Sequence, residues 1–405
     1  MTYRFERHRL SNGLTIVGEI SDSAHSAAAG FFVKTGARDE ASSVMGVSHF
    51  LEHMMFKGTT DLAADELNRA FDEIGAKNNA YTSSEMTAFH VHTLPEHLPR
   101  GLELLSRMMR PALRQSDFDT EKGVILEEIA MYEDNPFFVL YEACLDRHFG
   151  KHPLAHRVLG TTQTITDLTS QQMHDYFVSR YAPDNTVLAI SGKLDFNAAC
   201  AQAESICGHW TPTGVQRDYS SPRHGGGPFD LHNPKFSRGY LLAFCEAPAI
   251  DDPRRYAASL LAQVLGAPGN SRFHWALIET GLAEDAVAQY DPHDRFGELL
   301  LFASGDPESL EEIWSIMERE LKTLRDSLTQ DDLDRLMAKL ATGVTLAGER
   351  PDGRMHRIGR LMTYLGVHTT LEEELDRLRR VTLPDLKSLI DDFKLVPGTV
   401  GRLLP

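Results

Sequence analysis

Residues 49–59 read HFLEHMMFKGT. On a helix His49 and His53 stand at i and i+4, so their imidazoles share one face about one turn apart. Two neutral imidazoles at that separation can hold one zinc ion. Glu52 beside them is a carboxylate able to take a proton from a water that the ion acidifies. The order H-x-x-E-H is the inverse of the zinc-binding H-E-x-x-H helix. Such a site needs three protein ligands, and the pentapeptide offers two.

The third is sought in EKGVILEEIAMYEDNP, which begins at Glu121. If this stretch is helical, Glu121 and Glu128 lie about two turns apart on one face. Glu128 can then complete a His-His-Glu set, with Glu121 behind it, hydrogen-bonding a ligand histidine to fix its tautomer. Glu127 is the competing ligand, about 100° around the helix from that face.

Taken together, HFLEHMMFKGT, NNAYTSSEMTAFH and EKGVILEEIAMYED resemble the pitrilysin-type zinc metallopeptidases, the inverzincins. The resemblance is closest to their bacterial and mitochondrial processing-peptidase branch. GKHPLAHRVLGT and YAPDNTVLAISG extend the likeness, which runs from residue 5 to about residue 205. Glu128 stands 75 residues after His53, at the spacing of the family's distant glutamate. The resemblance implies one Zn2+ per chain on His49, His53 and Glu128, with Glu52 as general base and Glu121 as supporting carboxylate. It also implies an edge strand that pairs with the substrate backbone, with Asn79, Ala80 and Tyr81 nearest the scissile bond. The implied activity is endopeptidase cleavage of unfolded peptides or protein segments inside a closed chamber, Glu52 passing its proton on to the leaving amine.

The second half departs from the family pattern. GAPGNSRFHWALIETGLAEDAV, residues 266–287, keeps Arg272 as a substrate-binding residue and the run Gly281-Leu282-Ala283. Glu284 stands where the family has a tyrosine, and Leu277 or Ile278 where it has an arginine. Two alternatives follow: a catalytic subunit that needs a homologous partner chain, or a non-catalytic peptide-binding or structural member. An intact H-x-x-E-H with its distant glutamate argues against the second. Family members of two halves usually pair, so a homodimer is expected, with a heterodimer with a homologue as the other arrangement.

The elements that must position these residues follow from pattern. RFERHRL, SNG and LTIVGEI read as a hairpin with an Asn-Gly turn. AAGFFVKTG and NNAYTSSEMTAFHVHTL read as strands, and DELNRAFDEIG and LPRGLELLSRMMRPAL as helices. Residues 211–230, rich in Pro, Gly and Ser, read as a linker between an N-terminal zinc-binding domain, 1–210, and a C-terminal homologous domain without the metal motif, 231–405. The same strand-and-helix grammar restarts beyond it. The expected fold is α+β: two similar halves, each a mostly antiparallel sheet covered by helices, closing as a clamshell. His148, His152 and His156 recur every four residues, but Pro153 interrupts them, and surface positions are expected.

A net charge of −17 opposes nucleic acid and anionic membranes as partners and favours peptides with basic side chains. The apolar runs are too short to span a bilayer, and MTYRFERHRLSNGLTIV has no secretory h-region. Four scattered cysteines without C-x-x-C spacing fit a reducing compartment, so a cytoplasmic location is expected.

Overall fold

The computed structural model describes residues 2–222 and 225–405. Two compact units are built from interleaved segments. Met1–Ala130, His156–Asp218 and Thr345–Thr369 form the first, and Met131–Ala155, Tyr219–Val344 and Thr370–Pro405 the second. Each unit therefore takes a segment from the half of the sequence on which the other is mainly built. Of the stretch 211–230 expected as linker, residues up to Asp218 belong to the first unit, and a strand begins at Gly227. Residues 223 and 224 lie outside the described residues. The difference has a physical cause: Arg217 is buried and pairs through two nitrogens with Asp39 (3.0 and 2.7 Å). A long-range ion pair of this kind leaves no mark on local composition.

The first unit carries strands β1 (Arg4–Arg9), β2 (Thr15–Ile20), β3 (Ala27–Val33), β4 (Lys77–Thr82), β5 (Thr87–Thr93) and β6 (Thr186–Gly192). They form one sheet in the order β1-β2-β6-β3-β5-β4, antiparallel except where β2 meets β6. The expected Asn-Gly turn joins β1 to β2. Gly13 there has φ +98°, a left-handed backbone that an L side chain resists. In β3 the alternation of a strand splits one apolar run between two layers. Ala27, Ala29, Phe31 and Val33 join the main core, whereas Ala28 and Phe32 face a helix, Pro351–Leu365, through Met355, Ile358 and Met362. This returning helix comes from the C-terminal part of the chain. Gly359 lets it approach, since a Cβ there would meet the Phe32 ring at 2.2 Å.

The second unit carries β7 (Gly227–His232), β8 (Gly239–Glu246), β9 (Ala283–His293), β10 (Phe296–Gly305) and β11 (Pro397–Leu404). Its order, β7-β11-β8-β10-β9, is antiparallel except for β7–β11. It repeats β2-β6-β3-β5-β4 strand for strand, so the grammar that restarts in the sequence is a repeat of topology. The helix Pro136–Phe149 packs on β8 and β11. His148 near its end is not a surface histidine: it is 2% exposed, and its Nδ1 is 2.9 Å from the Thr399 hydroxyl. Among the described residues no helix is long and apolar enough to cross a membrane.

Candidate metal centre

HFLEH lies on the helix Val47–Met55, here the site helix, which is apolar on the face toward the core through Val47, Phe50, Leu51 and Met54. Its N-terminus is held from a distance. Glu40, itself buried, accepts hydrogen bonds from the backbone N–H groups of Gly46 and Ser48, each at 2.7 Å. Two of the N–H donors that a helix start leaves without an intrahelical acceptor are satisfied in this way. Gly46 has φ +95°, and a Cβ on it would meet the Leu159 carbonyl at 2.6 Å. The chain can turn into the site helix there only without a side chain.

The second contributor is the helix Gln115–Glu133, the carboxylate helix, whose Phe118 stacks on Phe50 at 4.8 Å between ring centroids. This packing brings its carboxylates against the site helix. Glu128 Oε2 lies 3.8 Å from His49 Nε2 and 3.6 Å from His53 Nε2, and the three ligand atoms fall within 4.8 Å of one another. Among the described residues no other group of His, Cys, Asp and Glu gathers three ligand atoms so closely. Of the carboxylates on this helix, the structure brings Glu128 to the two imidazoles and leaves Glu127 exposed.

These separations are too long for hydrogen bonds and suit donors around one cation. Ligands about 2.0–2.1 Å from a tetrahedral zinc ion stand about 3.4 Å from each other. The protonation states fit as well. Burial, helped by the neighbouring His53, pushes the His49 imidazole down to about 4, so at neutral pH the ring is uncharged. Its Nδ1 is buried without a hydrogen-bond partner. At His53, Nδ1–H donates to Glu121 Oε1 at 2.9 Å, which leaves the Nε2 lone pair toward Glu128 and His49. Burial pushes the Glu121 carboxyl up, but hydrogen bonds from Lys57 and His53 outweigh it and hold the group below its ordinary range.

Glu52 stands beside this triangle. Its Oε2 accepts from the Thr82 hydroxyl at 2.6 Å, and burial pushes its carboxyl above the ordinary range, with Thr82 and His53 opposing. Thr82 is the last residue of β4, the edge strand, which pairs with β5 alone. Asn79, Ala80 and Tyr81 lie on this strand, and the Ala80 N–H donates to its neighbour's Asn79 Oδ1 at 2.9 Å. Arg272, in the second unit, is engaged locally: its Nη2 donates to Ser327 O at 2.9 Å and Asp332 Oδ2 at 3.0 Å. Glu284 is paired with Arg238 at the start of β9.

Sequence reasoning missed Lys57, Thr82 and Glu40. Lys57 had a signal, since it stands four residues past His53 and pairs with the same Glu121. Thr82 had a weaker one, sharing a strand face with Ala80. Glu40 had none, because its partners depend on a fold of the intervening loop.

Comparison with known proteins shows the family of the chain. Residues 15–162 match the insulinase family, peptidase family M16, and residues 167–340 match the peptidase M16 inactive domain. The uncharacterized zinc protease Rv2782c of Mycobacterium tuberculosis is 30% identical over 392 residues, covering 95% of this chain and 89% of that protein. The uncharacterized zinc protease YmxG of Bacillus subtilis is 28% identical over 393 residues, covering 95% and 94%. Among solved structures, a protease from Helicobacter pylori superposes with a TM-score of 0.93 at 20% identity over 100% of both chains. A putative M16-like peptidase from Alicyclobacillus acidocaldarius does so at 0.86 and 21%, over 100% of this chain and 99% of that one. At such identities the likeness speaks for the fold. The chain belongs to peptidase family M16.

Proposed function

We propose that this M16 chain is a zinc-dependent endopeptidase for extended, unfolded peptides. The observation that carries the reading is the convergence of His49, His53 and Glu128 on one point, with Glu52 beside it and an edge strand attached to Glu52 through Thr82. His49 Nε2, His53 Nε2 and Glu128 would hold the ion, and Glu121 would keep His53 in the tautomer that ligation requires. Zinc in this place supplies Lewis acidity to a peptide carbonyl and to an attacking water. Everything else falls to the chain. The edge of β4 receives the substrate backbone as an added strand, a mode that reads main chain rather than side chains. The Ala80 N–H, now satisfied by Asn79, becomes available when that amide swings aside. Glu52, its pKa raised by burial, removes a proton from water and delivers it to the leaving amine. The net charge of −17 favours peptides with basic side chains. The four cysteines are buried and free, which fits a reducing, cytoplasmic compartment.

A second reading is favoured by the second unit. Arg272 is tied to Asp332 and Glu284 to Arg238, so neither is free to clamp a substrate. In that reading a homologous chain, or a second copy, supplies the missing contacts. The decisive experiment incubates a random-peptide mixture with the wild type and with Glu52→Gln, with and without chelator, and reads cleavage by mass spectrometry. Glu52→Gln should keep stoichiometric zinc and bind peptide yet cleave about 10²–10⁴-fold more slowly. Undiminished cleavage by that variant would remove the mechanism. A wild type that acts only after a homologous chain is added would establish the second reading.

A further inference from the structure

Thr82 belongs to two systems at once. Strand alternation turns Ala80 and Thr82 to the same face of β4, and Ala80 packs against the main core on that face. Tyr81 turns the other way, its ring 6.0 Å from His356 on the returning helix. The Thr82 hydroxyl donates to Glu52 Oε2 at 2.6 Å, and among the described residues it is the one hydrogen bond that Glu52 receives. A charge-assisted bond of this length holds a carboxylate in one orientation and leaves its other oxygen for a water. Threonine suits the task because its branched Cβ restricts χ1, so the hydroxyl direction is set by the strand.

We infer that Thr82 is a positioning residue that couples the substrate strand to the general base: the strand that accepts the peptide backbone also aims Glu52. This rests on the peptidase reading above. The coupling makes the orientation of Glu52 depend on the placement of β4, so a peptide that settles on the strand also settles the base.

The test compares Thr82→Val, which keeps shape and loses the hydroxyl, with Thr82→Ser, which keeps the hydroxyl. The Val variant should lose about tenfold or more in kcat, with KM little changed, and the Ser variant should recover most of it. Zinc stoichiometry and thermal midpoint should match the wild type in both. Added to Glu52→Gln, the Val change should cost nothing further, since the group it aims is gone. A readout independent of turnover is the infrared carboxylate band lost in Glu52→Gln, which should shift in Thr82→Val and return in Thr82→Ser. An unshifted band, an unchanged kcat, or a loss confined to KM and to the affinity of an uncleaved peptide would overturn the coupling. Failure of the peptidase reading is separate: it would appear as wild-type cleavage surviving in Glu52→Gln.

Discussion

At the residue scale, one proton decides whether His53 can serve as a ligand, and Glu121 decides where that proton sits. Replacing Glu121 by Gln keeps the shape but exchanges an anionic acceptor for a neutral amide. Zinc affinity should fall about 10–100-fold, measured by competition with a chromophoric chelator. An affinity equal to the wild type would show that the His53–Glu121 bond does not tune the site. His49 adds a pH dependence to the metal-free protein. Its folded pKa, about 4, lies below the unfolded value near 6.5, so below pH 6.5 the unfolded chain binds the extra proton. Stability should therefore be whole above pH 6.5 and fall by about 3 kcal/mol as pH drops through 4. His49→Gln should not show this loss in urea titrations with chelator present. Helical spacing offered two imidazoles on one face and Glu121 with Glu128 on another, while the choice of Glu128 over Glu127 came from the resemblance to the zinc metallopeptidases. Thr82 and Lys57 were less legible in the sequence, because their partners are fixed by packing between elements.

At the element scale, the site helix is held at its start by a residue outside it. Glu40→Ala would leave the Gly46 and Ser48 N–H groups buried without an acceptor, at a cost of about 2 kcal/mol in urea unfolding, and would loosen His49 one residue on. Glu40→Gln, which keeps an acceptor oxygen, should recover part of it. A Glu40→Ala protein as stable as the wild type would mean that water reaches those donors. The edge strand makes a separate prediction. Ala80→Pro removes the N–H that a substrate strand would use, while proline is tolerated on an edge. Peptide affinity in the Glu52→Gln background should weaken at least about tenfold with zinc content unchanged. Unaltered peptide binding would place the substrate elsewhere. The Asn-Gly turn marked β1 and β2, but NNAYTSSEMTAFHVHTL, expected as one strand, is the antiparallel pair β4–β5 closed between Ser83 and Met86. β3 and β6 are buried at every position, so alternation does not mark them. The π-helical stretch His274–Ile278, inside the segment that departs from the family pattern, was not readable either, since its apolar spacing matches an ordinary helix.

At the scale of the whole molecule, the interleaving of the units is what local pattern could not reveal. PDGRMHRIGRLMTYL, the returning helix Pro351–Leu365, places Met355, Ile358 and Met362 on one side, but nothing in the segment names the sheet it will cover. The structure lays it on β2, β3 and β6, where Met355, Ile358 and Met362 meet Phe32, Val17 and Ala189. Its polar end is fixed by Glu19 on β2, which accepts from Arg354 at 2.8 Å, from Arg357, and from His368 Nε2 at 2.9 Å. Burial pushes the Glu19 carboxyl up, and these three cationic or donor groups outweigh it, holding it below the usual range. A buried acid with two guanidinium partners closes a circuit that breaks badly when one member leaves. The first unit should therefore be unable to fold from N-terminal sequence alone. A fragment ending at Asp218 should bind hydrophobic dye and lack near-ultraviolet circular dichroism, because Phe32 and Ala28 lose their cover. Adding residues 345–369 as a separate peptide should restore the signal and, with it, zinc binding at His49, His53 and Glu128. The same peptide with Met355 and Ile358 replaced by Ser should not. A fragment that folds and holds zinc without the peptide would show that the sheet carries its own stability and that the returning helix is an addition to a finished domain.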